Sequence, residues 1–257
     1  MDGRRTSSER GCGRRLPATA RDAARAARHN PNSEAVSPRI SPAEIRLMRK
    51  VHARCGAVIR EAGKYSSVPP EFLAALTANE SGANPRATRF EPAVYRHLKA
   101  VALGKFPAYG GIRRESLDAE IEEMLHPKAA AFHGVYLNAS FADDHAASLA
   151  ASPDEALRDL ATSWGLTQIM GYHLVRREGT VRDLLDARFH FRLALELLAE
   201  FAARYDLDLT REFEEMFRCW NTGQPYGETF DPKYVEHGRR RMEIYRLIDS
   251  SEDLAIE

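Results

Sequence analysis

Between Pro69-Pro70 and Gly82 the chain carries an apolar stretch, Phe72-Leu73-Ala74-Ala75-Leu76-Thr77-Ala78, that runs into Asn79-Glu80-Ser81. The prolines break the preceding segment and are tolerated in the first turn of a helix. Gly82 suits the left-handed residue that ends one. The spacing therefore predicts a buried helix from Pro70 to Glu80, with Leu73, Leu76 and Glu80 on one face. A carboxyl group held at the end of such a helix loses hydration, which disfavours its charged form and raises its pKa. A general acid working near neutral pH needs that property. The competing reading is a structural glutamate paired with an arginine or capping a neighbouring helix, since ion pairs perturb carboxylates too.

The 257-residue chain is long enough for one large domain or two small ones and for a proper core. Lys and Arg number 37, as do Asp and Glu, so no global field favours nucleic acid or a membrane surface as partner. Apolar runs such as Leu193 to Leu198 fall short of the ~20 residues of a membrane span. Cys12, Cys55 and Cys219 match no metal-ligand spacing and read as small core residues, and no metal or cofactor site is expected. Residues 1–40 differ in kind: Arg4, Arg5, Arg10, Arg14, Arg15, Arg21, Arg25 and Arg28 face few acids. Without an apolar h-region this is not a recognisable secretory signal, and it reads as a disordered basic tail.

The fold should begin at Ser41-Pro42-Ala43-Glu44, which combines an N-cap serine, a proline at the first helical position and a capping-box glutamate. Apolar periodicity carries that helix to about Ala62. Phe90 to Leu98 reads as a strand or turn entering a short helix, Tyr109-Gly110-Gly111 as a loop, and Ser116 to Leu125 as a helix capped by Ser116. Ser152-Pro153-Asp154-Glu155 repeats the capping box and opens a helix through Leu157 and Leu160. Val181 to Tyr205 reads as one long helix with Leu193, Leu197, Leu198 and Phe201 on its apolar side, followed by helices at about 211–220 and 232–248. No βαβ rhythm appears. The expectation is a mainly α single domain over residues 41–250, with at most a small β element and a tail at 251–257.

Three further segments bear on Glu80. Ser163-Trp164-Gly165-Leu166-Thr167-Gln168-Ile169-Met170 is a tight glycine-containing turn, Phe217-Arg218-Cys219-Trp220-Asn221-Thr222-Gly223 ends a helix, and Asp231-Pro232-Lys233-Tyr234 starts another. Each alone has a bland reading: backbone satisfaction by Gln168, a helix stop at Asn221, packing by Tyr234. In this order they resemble the soluble lytic transglycosylases, lysozyme-like enzymes acting on peptidoglycan. The matching positions are Glu80-Ser81, Asn84-Pro85, Ala87, Gly165-Leu166, Gln168-Ile169-Met170, Asn221 with Gly223, and Tyr234. The resemblance covers roughly residues 70–245. It departs from the family pattern at Ala83 (usually Phe), Arg89 (commonly Ser), Thr167 (Met), Trp220 (Tyr) and Thr222 (Ala). About eighty residues separate the first two motifs, far more than usual, so residues 90–161 read as an insertion.

The resemblance implies a goose-type/transglycosylase helical domain with a small β or irregular insertion. It implies a monomer that takes peptidoglycan glycan strands as substrate, without cofactor, in the periplasm or cell envelope. Glu80 would act as acid and then base in cleaving the bond from N-acetylmuramic acid to N-acetylglucosamine, closing a 1,6-anhydro ring. Ser81, Gln168, Asn221 and Tyr234 would contact sugar or orient Glu80, and Trp220 would offer a pyranose its apolar face. Two alternatives stay open. One is a hydrolytic muramidase with a second carboxylate, Glu91 foremost and Asp143 or Asp144 after it, because glycoside cleavage ordinarily employs two. The other is a catalytically inactive peptidoglycan-binding module.

Overall fold

The computed structural model describes residues 40–126 and 150–253. The basic tail, Cys12, Asp143 and Asp144 lie outside the described residues. Within them the protein is mainly helical. Helix α1 spans Pro42–Gly63 and α2 spans Pro70–Glu80. After strand β1 (Thr88–Phe90) come α3 (Pro92–Ala102), the hairpin β2 (Ala108–Tyr109) and β3 (Ile112–Arg113), α4 (Arg114–Leu125) and α5 (Pro153–Leu160). Strands β4 (Thr162–Trp164) and β5 (Ile169–Met170) lead into α6 (Ala187–Tyr205), α7 (Phe213–Thr222) and α8 (Tyr234–Asp253).

Both serines cap their helices. The Ser41 hydroxyl accepts the Glu44 N–H at 3.2 Å, and the Ser152 hydroxyl accepts the Glu155 N–H at 3.3 Å. The Glu44 carboxylate also takes Arg240 of α8 at 2.8 Å, so the start of α1 is tied to the last helix.

Helix α2 is not merely amphipathic. Every residue from Phe72 to Ala78 is buried, because α1 and α8 pack against it and α7 covers it further along. Met48, Val51 and Ile59 of α1, Phe217 of α7, and Met242 and Tyr245 of α8 form the core around it. Apolar side chains all round a helix leave burial as its only stable placement.

Among the described residues of 90–161, three helices and a hairpin stand where the resemblance implies a small β or irregular insertion, and Leu98, Val101, Leu117, Met124, Leu157 and Leu160 form a second apolar cluster with Phe189, Leu193 and Leu197 of α6. The two ends of this segment meet in a small antiparallel sheet of order β1-β4-β5, where Phe90 pairs with Thr162 and Arg89 with Ser163. A long excursion whose ends are hydrogen-bonded neighbours leaves the surrounding fold intact.

Several boundaries differ from the expectations. Helix α6 begins at Ala187 rather than Val181, because the Asp186 carboxylate caps it by accepting the Arg188 and Phe189 N–H groups at 3.0 Å. The preceding residues turn instead, with a short 3-10 helix at Asp183–Leu185. Helix α4 starts at Arg114, which places Ser116 inside its first turn and not at the cap. Tyr109-Gly110-Gly111 belongs to a hairpin, Tyr109 pairing with Ile112 across a positive φ at Gly110. Helices α7 and α8 run slightly later than their periodicity suggests. No helix among the described residues is long and apolar enough to cross a membrane.

Candidate functional site

Glu80 is the last residue of α2 and Tyr234 the first of α8, and the extensive packing of these helices brings the two together. The Tyr234 hydroxyl donates to Glu80 Oε1. Tyr234 is itself held from behind. Its carbonyl accepts the Asn79 amide at 3.1 Å, Arg241 donates to the Asn79 oxygen at 2.6 Å, and the Phe217 ring meets its own edge-on at 6.1 Å.

Burial pushes the Glu80 carboxyl up to about 7, outweighing the Tyr234 hydrogen bond and the charge of Arg89, both of which lower it. The Tyr234 hydroxyl is raised well above its usual value by burial and by the neighbouring Glu80. It therefore stays protonated and remains a donor. The pair combines a carboxylic acid that holds its proton up to neutrality with a hydroxyl placed to stabilise the carboxylate left behind.

Ser81 links this pair to the turn between β4 and β5, since its hydroxyl donates to the Leu166 carbonyl at 2.7 Å. The turn is strongly specified. Gly165 has φ +72°, and a Cβ there would lie 2.4 Å from the Leu184 carbonyl oxygen and 2.7 Å from His190 Nδ1. Only glycine fits both the conformation and the space. His190 of α6, fully buried, braces the turn from beneath: it donates from Nδ1 to the Leu184 carbonyl at 2.8 Å and accepts the Thr167 N–H at Nε2, also at 2.8 Å. Acceptance at Nε2 requires the neutral ring, and burial lowers its pKa to about 4. Sequence reasoning missed His190; its only local signal is a polar ring amid the apolar positions of α6.

Gln168, at φ +57°, engages its whole amide with the protein. Its nitrogen donates to Ala87 and Gly165 carbonyls at 3.1 and 2.9 Å, and its oxygen accepts the Ser163 hydroxyl at 2.8 Å. The Trp220 indole N–H likewise donates to the Thr167 carbonyl at 2.9 Å. Ser81, Gln168 and Trp220 thus direct polar groups into the turn.

Asn221 is exposed in the last turn of α7. With Gln168 and Trp220 it lines a groove of about 770 Å³, to which Tyr109 and Gly110 of the β2–β3 hairpin and Tyr172 also contribute. Glu80, Ser81 and Tyr234 are not among the groove's lining residues. The Gly165–Gln168 turn is what joins them to it, contacting Ser81 through Leu166 and the groove through Gln168.

Glu91 is engaged elsewhere. Arg89, on the exposed face of β1, holds its carboxylate at 2.6 Å, and the Glu91 N–H donates to the Ala161 carbonyl at 2.9 Å. Cys55 and Cys219 are buried free thiols, and the described residues contain no cluster of His, Cys, Asp or Glu suited to a metal. Compared with known proteins, the chain matches no family model, no curated protein and no solved structure.

Proposed function

We propose that the chain is a peptidoglycan lytic transglycosylase with a lysozyme-like helical domain, in which Glu80 serves as acid and then base. The observation that carries this reading is the half-buried Glu80, its carboxyl raised to about 7 and hydrogen-bonded by Tyr234 at the tip of a buried helix. The convergence of the Gly165–Gln168 turn on the same helix end supports it further. Residues 90–161 then form the insertion, and the expected setting is the cell envelope.

In this mechanism Tyr234 occupies Oε1, which leaves Oε2 to carry the proton. Glu80 gives that proton to the glycosidic oxygen as the bond to C1 of N-acetylmuramic acid breaks, while the 2-acetamido oxygen of the same sugar closes on C1. The Glu80 carboxylate, steadied by the Tyr234 hydroxyl, then removes the proton from the 6-hydroxyl. The freed O6 attacks C1 and displaces the acetamido oxygen. No water is consumed, and Glu80 ends protonated, ready for another cycle. One group performs both transfers because donating its proton creates the base required next.

Digestion of sacculi by the purified protein, with mass analysis of the muropeptides, tests the proposal. Products lighter by one water and lacking a reducing end are expected, and Glu80→Gln should abolish their release. Reducing ends would identify a hydrolase instead, and binding of sacculi without product would identify a binding module.

A further inference from the structure

The groove beyond the Gly165–Gln168 turn is lined by three arginines and one carboxylate. That carboxylate, Glu200, is already paired with Arg177, which also donates to the His173 carbonyl. Arg176 and Arg204 are exposed on the rim, and no carboxylate among the described residues forms an ion pair with either guanidinium. Arg176 also sits at φ +69°, a left-handed conformation unfavourable for a residue with a side chain. Strain of this kind persists only where the surroundings enforce it, and it concentrates at ligand sites.

The remaining lining complements the arginines. The Tyr109 and Tyr172 rings meet edge-on at 5.5 Å, and Trp220 lines the same groove. The exposed Asn221 amide adds a donor and an acceptor. Gly110 and Gly111 leave the hairpin tip open, with nothing within 4 Å of where a Cβ would stand at either. Aromatic faces and an amide suit an N-acetylated pyranose. A guanidinium suits a carboxylate, which it can bind through two parallel hydrogen bonds.

We infer that this groove receives a carboxylate-bearing part of the glycan substrate, with Arg176 and Arg204 binding the acidic acyl or peptidyl substituent of a sugar that rests on Trp220 and Tyr109. The inference rests on the peptidoglycan reading and names what the β2–β3 hairpin and the arginines add to it: selection of substituted, anionic strands over neutral ones.

Calorimetric titration of the full chain carrying Glu80→Gln, which prevents turnover, provides the test. The probes are a neutral N-acetylglucosamine tetramer and a tetrasaccharide of alternating N-acetylglucosamine and N-acetylmuramic acid bearing stem peptides with free carboxylates. The anionic ligand should bind at least tenfold more tightly, and the advantage should shrink as salt is raised. Arg176→Ala with Arg204→Ala should erase that advantage and leave affinity for the neutral tetramer unchanged, while Lys at both positions should restore part of it. Equal affinity for the two ligands, or a preference that survives the double alanine variant, overturns the inference alone. Failure of both ligands to bind overturns the peptidoglycan reading and the inference with it.

Discussion

Three influences meet on the Glu80 carboxyl: burial raises its pKa, while the Tyr234 hydroxyl and the Arg89 charge lower it, with burial prevailing at about 7. The folded protein therefore binds this proton more tightly than the unfolded chain does. Its contribution to stability is fully present below the ordinary value of 4.5 and is lost as pH rises to about 7. At about 1.4 kcal/mol per pKa unit, ionised Glu80 costs the fold up to roughly 3 kcal/mol above neutrality. Glu80→Gln keeps an acceptor for Tyr234 and removes the charge. Urea unfolding at pH 8 should show the variant more stable than the parent, with the difference vanishing near pH 4.5; equal stability at both would mean the carboxyl is solvated. Under the proposed mechanism the same carboxyl is the general acid, so kcat/KM for glycan cleavage should fall as pH rises through about 7. Arg89→Ala should move that fall to higher pH. Glu91→Gln, by freeing Arg89 from its 2.6 Å ion pair, should move it lower. A fall unmoved by either substitution would remove Arg89 from the account. Glu80 was legible in the sequence because its helix, its apolar neighbours and its terminating glycine are contiguous. In the sequence Arg89 stood out only as a departure from the family pattern and Glu91 only as a candidate second carboxylate; their ion pair came from the structure.

Among the elements, the β4–β5 turn shows how a short motif depends on distant parts. Gly165→Ala would force a Cβ against the Leu184 carbonyl at 2.4 Å in a left-handed conformation, and a loss of about 3 kcal/mol or more is expected. His190→Phe keeps the bulk but strands the Thr167 N–H and the Leu184 carbonyl, each buried polar group costing about 1–3 kcal/mol. Denaturant titration followed by tryptophan fluorescence suits both variants, because Trp164 ends the strand entering the turn and the Trp220 indole is bonded to the Thr167 carbonyl. Parent-like stability in the phenylalanine variant would show that the turn holds without its brace. The capping boxes at Ser41 and Ser152 were legible because donor and acceptor lie within one helical turn. The start of α6 was not, since apolar periodicity runs back through Val181 while Asp186 breaks the helix inside it. Gly179, at φ +95° and close-packed on the Phe189 ring, shows the chain bending there instead of coiling.

Across the described residues, two apolar clusters make up the core, one around α2 and one under α3–α5, and Trp220 packs against both. Cys55 and Cys219 sit within this packing, 4% and 0% exposed, and burial pushes their thiols up to about 11 and 12. In a Cys12→Ser background neither should react with a thiol reagent at pH 8 except through opening of the fold, with the slower labelling rate tracking global stability. Rapid labelling of Cys219 in an otherwise folded protein would instead reveal local opening of the groove wall. A mainly helical chain, a buried helix ending in a carboxylic acid, and the order of the segments around it were legible in the residues alone. Those properties follow from periodicity, capping and solvation within a few residues of chain. Tertiary structure alone decided that Tyr234 would hold Glu80, that His190 would brace the turn, and that the ends of residues 90–161 would meet across β1 and β4. Each of these joins groups far apart in the chain, and a contact of that kind has no local signature; it exists only once helices of the right length and facing have packed.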